Sequence, residues 1–365
     1  MAKLLALALV LMCGVVPVEC LAQSVTPSWD ALAAAARREG TVVVLGPAHP
    51  EVRRVLPAAF KKRFGIDMEY LGGPAGIAAS RLHSERSAGI YSADVTLAAI
   101  QTLATVYYPD KMLDPIKPLL VMPEVLDSSK WKRGELWFPD PEHRYVLRLF
   151  NSVARVFAVN TSLVTPADMA TVEGLLLDPK FKGRIATHDP TVTGVGSNMA
   201  AQLYVQLGED FVKRLYVDQK PAISRDERQL TDWLLRGTYP IVFGEDDAQV
   251  DKMRKEGMPV MEVYSLPGLS PSLSSGNGML AVFNRAPHPN AAKLFVNWIS
   301  SQEGLTLFSQ AVQWSPTRND IDERAYVLVE NIPQPGVAYF DSYDWDFSVS
   351  TKTKVRLWLK DLLGR

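Results

Sequence analysis

The sequence predicts an α/β fold of two lobes with a cleft between them, and three observations carry that prediction. Short β-branched apolar runs alternate with amphipathic segments that end at glycine, a pattern of parallel sheets covered on both faces by helices. The alternation runs to about residue 97 and restarts after residue 153. At 365 residues, 47% hydrophobic and 22% charged, the chain is long enough for two lobes, each with its own core.

The elements follow in order. Residues 28–39 read as a helix: Ser28 can cap it, Trp29, Leu32 and Ala36 share a face, and Gly40 stops it. Residues 41–45 are a β-branched apolar run, hence a buried strand. Residues 51–63 form an amphipathic helix closed by Gly65, and 66–71 a second strand. The Gly-Gly-Pro-Ala-Gly stretch at 72–76 is a turn before a helix over 77–88, and 93–97 is a third strand. In the second half, strands are expected at 154–160, 183–187, 239–243 and 279–284. Helices are expected at 198–207, 209–216, 229–235, 249–256, 289–301 and 303–310. The 249–256 helix carries Lys252, Arg254 and Lys255 in its last turns with Gly257 beyond them, which suits its dipole.

The N-terminus differs from the rest. Lys3, an apolar run over 4–16, and Cys20-Leu21-Ala22 before Gln23 describe a secretory signal peptide cleaved near Ala22. The run is short for a bilayer span. Both cysteines, Cys13 and Cys20, fall inside the leader, so the mature protein is expected to have no disulfide, thiolate metal site or cysteine nucleophile. A formal net charge of -1 gives no basic excess for tracking phosphates, which argues against nucleic-acid binding.

Several pieces stand in order: Thr41-Val42-Val43-Val44-Leu45, Ala59-Phe60-Lys61-Lys62-Arg63-Phe64-Gly65-Ile66, Arg81 with Glu85 before Ala93-Asp94-Val95, and Lys182-Gly183-Arg184-Ile185. Ala291-Lys293-Phe295-Val296, Gln302-Glu303-Gly304 and Ser315-Pro316-Thr317-Arg318 complete the set. In this order and spacing the set resembles the type II periplasmic binding proteins, especially the ferric-ion-binding branch of the extracellular solute-binding proteins. The resemblance implies lobe 1 at 24–150 plus 275–320, lobe 2 at 151–274, and a C-terminal segment, 321–365, packing on the lobes. It also implies a periplasmic monomer without a cofactor that captures a small-molecule ligand and delivers it to an ABC transporter permease. Iron-binding relatives carry a Tyr-Tyr pair after the strand equivalent to 239–243, where this chain has Gly244-Glu245-Asp246-Asp247-Ala248. The carboxylate that follows their third strand is replaced by Ala98-Ala99.

Three loops can hold an anion on helix N-termini, where unpaired N–H groups and the dipole favour negative charge. They are Pro47-Ala48-His49, the 72–76 turn with Gly73, and Thr193-Gly194-Val195-Gly196-Ser197-Asn198. Each also reads as an ordinary turn and cap; within the resemblance the third is favoured as touching ligand. Glu245, Asp246 and Asp247 suit a ligand amine or a hard cation, or simply stabilise a first helical turn. Arg318 matches a family segment whose arginine approaches the bound anion, and Trp314 is the aromatic expected to line the cleft. Arg225 and Arg228 read as a solvated face. Nucleophile-elbow, zinc-protease, phosphate-loop and dinucleotide motifs are absent from the sequence, so a binding protein is expected and not an enzyme. The alternatives are a ferric-iron protein with a non-tyrosine site, a sensor of the same solute, and a hydrolase using His49 with Asp246. A small organic anion is the favoured ligand.

Overall fold

A computed structural model describes residues 29–365. The expected leader over 1–22, its two cysteines and the Ser28 cap lie outside the described residues, as does the side chain of Asp247.

The chain first lays down β1 (Thr41–Gly46), β2 (Asp67–Gly72), β3 (Val95–Ala98), β4 (Leu113–Asp114) and β5 (Leu147–Arg148). After β6 (Ser152–Ala154) come β7 (Phe157–Asn160), β8 (Ile185–His188), β9 (Ala222–Ser224), β10 (Ile241–Phe243) and β11 (Val260–Val263). Then follow β12 (Ser272–Ser274), β13 (Met279–Phe283) and β14 (Phe340–Asp341). One sheet has the order β2-β1-β3-β13-β4, with β5 also paired to β13; the second has the order β11-β7-β10-β8-β9. A small third sheet, β14-β12-β6, takes β6 and β12 from the two crossings between them and β14 from the C-terminal segment. Thus two lobes are each built on a sheet, and the chain passes from one to the other through the small sheet.

The strand signals translate directly into burial. Val42, Val43, Val44 and Leu45 are all buried, because β1 is central and covered on both faces. On one face Phe60 of helix Pro50–Phe64 meets Phe295 and Trp298 of helix Pro289–Ser300 edge-on, at 5.7 and 5.3 Å. On the other face Leu82, Leu103, Tyr107 and Phe283 form a separate cluster. The second sheet is sandwiched in the same way.

Three expectations change. The single strand expected at 154–160 is two strands of different sheets: β6 pairs with β12, while β7 pairs with β10 and β11. Arg155, between them, is pinned to Glu245 at 3.1 Å and Glu262 at 2.9 Å, which turns the chain out of one sheet into the other. The helix expected from residue 198 is Val195–Leu207, so the glycine loop forms its first turn. The helix expected at 209–216 is Glu209–Lys213 running into a π-turn, Arg214–Asp218.

Residues 321–365, expected as a segment packing on the lobes with Trp358 on an amphipathic helix, hold β14 and helix Lys352–Leu362. Trp345 packs into the first lobe's core, whereas Phe347, Val355 and Leu359 pack into the second's. Each of these side chains contributes about 1.5–3 kcal/mol by burial. A π-turn, Phe347–Thr351, joins the two anchorages. No helix among the described residues is long and apolar enough to cross a membrane.

Candidate functional site

A cavity of about 700 Å³ opens between the lobes. The first lobe contributes Ala75, Gly76 and Ala79 of helix Ala75–Ser87, with Gln101, Thr102 and Thr105 of the segment after β3. The second contributes Thr193, Gly194, Ser197 and Asn198 at the start of helix Val195–Leu207. Tyr343, Lys352, Thr353 and Arg356 come from the C-terminal segment. A chamber of about 200 Å³ adjoins it at Ala75, lined by Gly46, Gly73, Thr96, Ala98, Tyr107 and Asn277 among others. It lies at the carboxyl ends of β1, β2 and β3, the usual place for a ligand crevice in open α/β sheets.

The helices that start at these cavities share a feature. His49, Pro74 and Gly194 occupy the cap positions of helices Pro50–Phe64, Ala75–Ser87 and Val195–Leu207, and none makes a side-chain cap bond. Elsewhere Asp226, Asp246 and Ser301 cap their helices in the ordinary way. First-turn N–H groups at the cleft therefore keep their capacity to donate to a bound acceptor.

Gly194 has φ 147° and ψ -158°, a conformation in which a Cβ is strained. The Gly194 N–H donates to Ser197 Oγ at 3.2 Å, and that hydroxyl donates back to Gly194 O at 3.0 Å. Ser197 thus fixes the loop, while Asn198 Oδ1 is buried without a partner beside the cavity. Gly196 lets the helix start approach the end of β8: a Cβ there would stand 2.4 Å from His188 O and 2.6 Å from Asp189 O. Gly196→Ala is expected to cost about 1–3 kcal/mol by overpacking. A lowered thermal midpoint, with anion affinity falling as the helix start shifts, checks it.

The charge in the cavity is positive. Lys352 lies with its ammonium 5.1 Å from the Phe347 ring centre and 5.5 Å from that of Tyr343. Burial pulls it down from the ordinary 10.5 to about 8, with Asp341 pulling the other way. Arg356 follows one turn on. No described residue lining the cavity is an aspartate or glutamate. Tyr107, in the smaller chamber, is pushed up to about 12 by burial and stays a protonated donor at neutral pH.

The structure brings together Gly73, Gly194, Ser197 and Asn198 of the expected site, with Gly196 buried directly behind. The other expected residues lie elsewhere. His49 stands just outside the chamber that Pro47 and Ala48 line, its Nδ1 buried and unpartnered. Glu245 is turned into the ion pair with Arg155, and burial raises its pKa. Asp246 accepts from Gln249 N–H at 3.1 Å as a helix cap. Asp247 begins that helix, its side chain outside the described residues. Trp314 packs on Gly276 and edge-on to Phe150 at 5.6 Å, closing the first lobe's core and lining neither cavity.

Arg318, expected at the anion, is fully buried away from the cleft. Its guanidinium grips Asp320 at 2.7 and 2.8 Å, donates to Ser300 O at 3.1 Å and lies over Trp131. The cleft cations Lys352 and Arg356 were missed. Their signal was two basic residues four apart in one stretch, Lys352-Thr353-Lys354-Val355-Arg356, which puts both on one face of a helix.

Residues 56–327 match the model of the bacterial extracellular solute-binding protein family. The chain belongs to that family. No curated protein matches it significantly. Among solved structures it is similar to AfuA from Actinobacillus pleuropneumoniae with exogenous fructose-6-phosphate bound: 16% identity, 89% of this chain and 99% of that one, TM-score 0.63. It is similar to the Bordetella ferric binding protein (19%, 88% and 98%, 0.65) and to Trichodesmium IdiA in complex with iron and citrate (17%, 88% and 99%, 0.65). These likenesses establish the two-lobed periplasmic binding protein fold for this solute-binding protein.

Proposed function

We propose that this solute-binding protein is the periplasmic subunit of an ABC importer, a monomer that captures a small organic anion and hands it unchanged to a membrane permease. The observation that carries the reading is the charge of the interlobe cavity: Lys352 and Arg356 face the uncapped start of helix Val195–Leu207 with no carboxylate among the described lining residues. Two cations and oriented N–H groups favour an anion by charge-assisted hydrogen bonds. Thr102, Thr105, Thr193 and Thr353 add hydroxyls for its oxygens. Capture then biases a hinge motion, because groups from both lobes reach the ligand together only when the cleft is closed. The fructose-6-phosphate in AfuA and the citrate in IdiA are organic anions on the same fold, which supports the reading.

Iron carried without an organic anion is less well supported. The described residues include no group of three or more His, Cys, Asp or Glu arranged to hold a metal ion. A thermal-shift screen of the ligand-stripped mature protein tests the choice. Phosphate, citrate, phosphonates and aliphatic and aromatic acids are compared with ferric iron with and without carbonate. A ligand at a hundredfold excess over its Kd stabilises by about 2.7 kcal/mol, a shift of several degrees at this size. Shifts with organic anions are expected; a shift with ferric iron alone overturns the reading. Loss of solute uptake on gene deletion separates importer from sensor, and recovery of unaltered solute separates both from a hydrolase.

A further inference from the structure

The cleft is not one space but two of different character. The larger holds Lys352 and Arg356, whereas no described residue lining the smaller is charged. The smaller is walled by Leu45, Leu71, Ala78, Leu97 and Ala98, with polar groups at Thr96, Tyr107 and Asn277. The two adjoin along helix Ala75–Ser87: Ala75 borders both, and Ala78 and Ala79 line one each. Thr105 and Tyr107 likewise belong to one π-turn, Leu103–Tyr107, and point to different spaces.

We infer that the solute has two unlike ends: a single anionic group held at Lys352 and Arg356, and an uncharged, ring-sized body seated in the chamber of Thr96, Tyr107 and Asn277. This deepens the proposed function and rests on it. A chamber of about 200 Å³ lined by apolar and uncharged polar side chains takes a ring, not a bare oxyanion. Its polar side chains, Thr96, Tyr107 and Asn277, are uncharged donors and acceptors. Asn277 sits in the turn from β12 to β13, where the neighbouring N–H groups are already taken: Gly276 donates to Ser274 Oγ, and Gly278 to Ser275 O. The Asn277 amide is not needed to hold that turn and can serve the ligand. The Tyr107 hydroxyl, kept protonated by burial, supplies a donor to a ring oxygen or hydroxyl. A second carboxylate or phosphate at this end would be buried without a counter-charge, so the chamber rejects ligands charged at both ends.

Calorimetric titration with matched probes tests the inference. Inorganic phosphate is compared with a hexose 6-phosphate and a hexose 1,6-bisphosphate, and acetate with cyclohexanecarboxylate. In whichever series binds, the ring-bearing monoanion end is expected to exceed the bare anion by about tenfold or more, and the bisphosphate to lose that gain. Ala78→Leu, which fills the chamber from a helix that favours leucine, is expected to bring the ratio of the two affinities toward one. Asn277→Ala should lower the same ratio with less change in packing. Equal binding of bare and ring-bearing anions by the native protein overturns the inference and leaves the proposed function standing. Failure of every anion to bind, with a folded protein by circular dichroism, overturns both.

Discussion

Lys352→Met is expected to lower affinity for the organic anion by about 10- to 100-fold, because a hydrogen bond to a charged group is worth roughly 1.5–3 kcal/mol. The unliganded protein is expected to become more stable at neutral pH, since the ammonium is held against the Tyr343 and Phe347 rings at the cost of its hydration. The pH dependence follows the direction of the shift. Lys352 titrates near 8 in the folded protein against 10.5 ordinarily, so the folded state disfavours its protonated form. That penalty is present in full below about pH 8 and is relieved as pH rises from 8 to 10.5, so native stability gains a contribution across this window while Lys352→Met does not. Anion affinity moves the opposite way, falling above pH 8 as the lysine loses its charge. Asp341 favours the charged form; it also grips Arg148 at 2.8 and 2.9 Å, so its charge is shared. Bound anion raises the lysine's pKa, and binding at pH 8–9 is therefore expected to take up protons, measurable by titration in buffers of different ionisation enthalpy. Arg356→Gln should weaken binding without this pH signature. A flat affinity profile between pH 7 and 9.5 would remove Lys352 from the site.

Why the cations escaped notice is physical. The sheets were legible because a strand covered on both faces must be apolar throughout, and Val42 to Leu45 or Ile241 to Phe243 can be little else. The loop 193–198 was favoured only through the resemblance, because glycine before an apolar helical pattern also reads as an ordinary cap; it is packing against β8 that makes Gly194 and Gly196 a strained, close helix start. A cation carries no such mark. Arg318 and Lys352 each sit among polar neighbours in sequence, and what separates them is who meets them in space. Arg318 meets Asp320, Ser300 and Glu124 and is used up; Lys352 meets two rings and open cavity. Glu245 is the same lesson with the opposite sign: its place after β10 pointed to the cleft, but Arg155, ninety residues earlier, draws it inward. The break at Arg155 was hidden too, since apolar residues flank it and only pairing with two different sheets reveals it.

Arg155 is where the largest loss of stability is expected. Its guanidinium serves two buried carboxylates, Glu245 at 3.1 Å and Glu262 at 2.9 Å, and donates to Glu245 O at 2.9 Å. Arg155→Met leaves both acids buried without that counter-charge, and removing one partner of a buried pair costs about 3–5 kcal/mol. At roughly 2–4 °C per kcal/mol for a chain of this size, the thermal midpoint should drop by about 10 °C. The loss is expected to be pH-dependent in a definite sense. Burial already raises the Glu245 pKa, and without Arg155 it rises further, so the penalty for its ionised form is present above that folded-state value and is relieved as pH falls through it. The variant should therefore lie closest to the native protein in mildly acidic buffer and furthest at pH 8. Glu245→Gln in the Arg155→Met background is expected to recover a large part of the loss at pH 8, since it removes the stranded charge while keeping the side chain's shape. Because Arg155 holds the chain where it leaves β6 for β7, the single variant should also weaken anion binding beyond what its stability explains, and the double variant should restore binding less than it restores the midpoint. Equal recovery of both would mean that the pair stabilises the second lobe alone and does not set how the lobes meet.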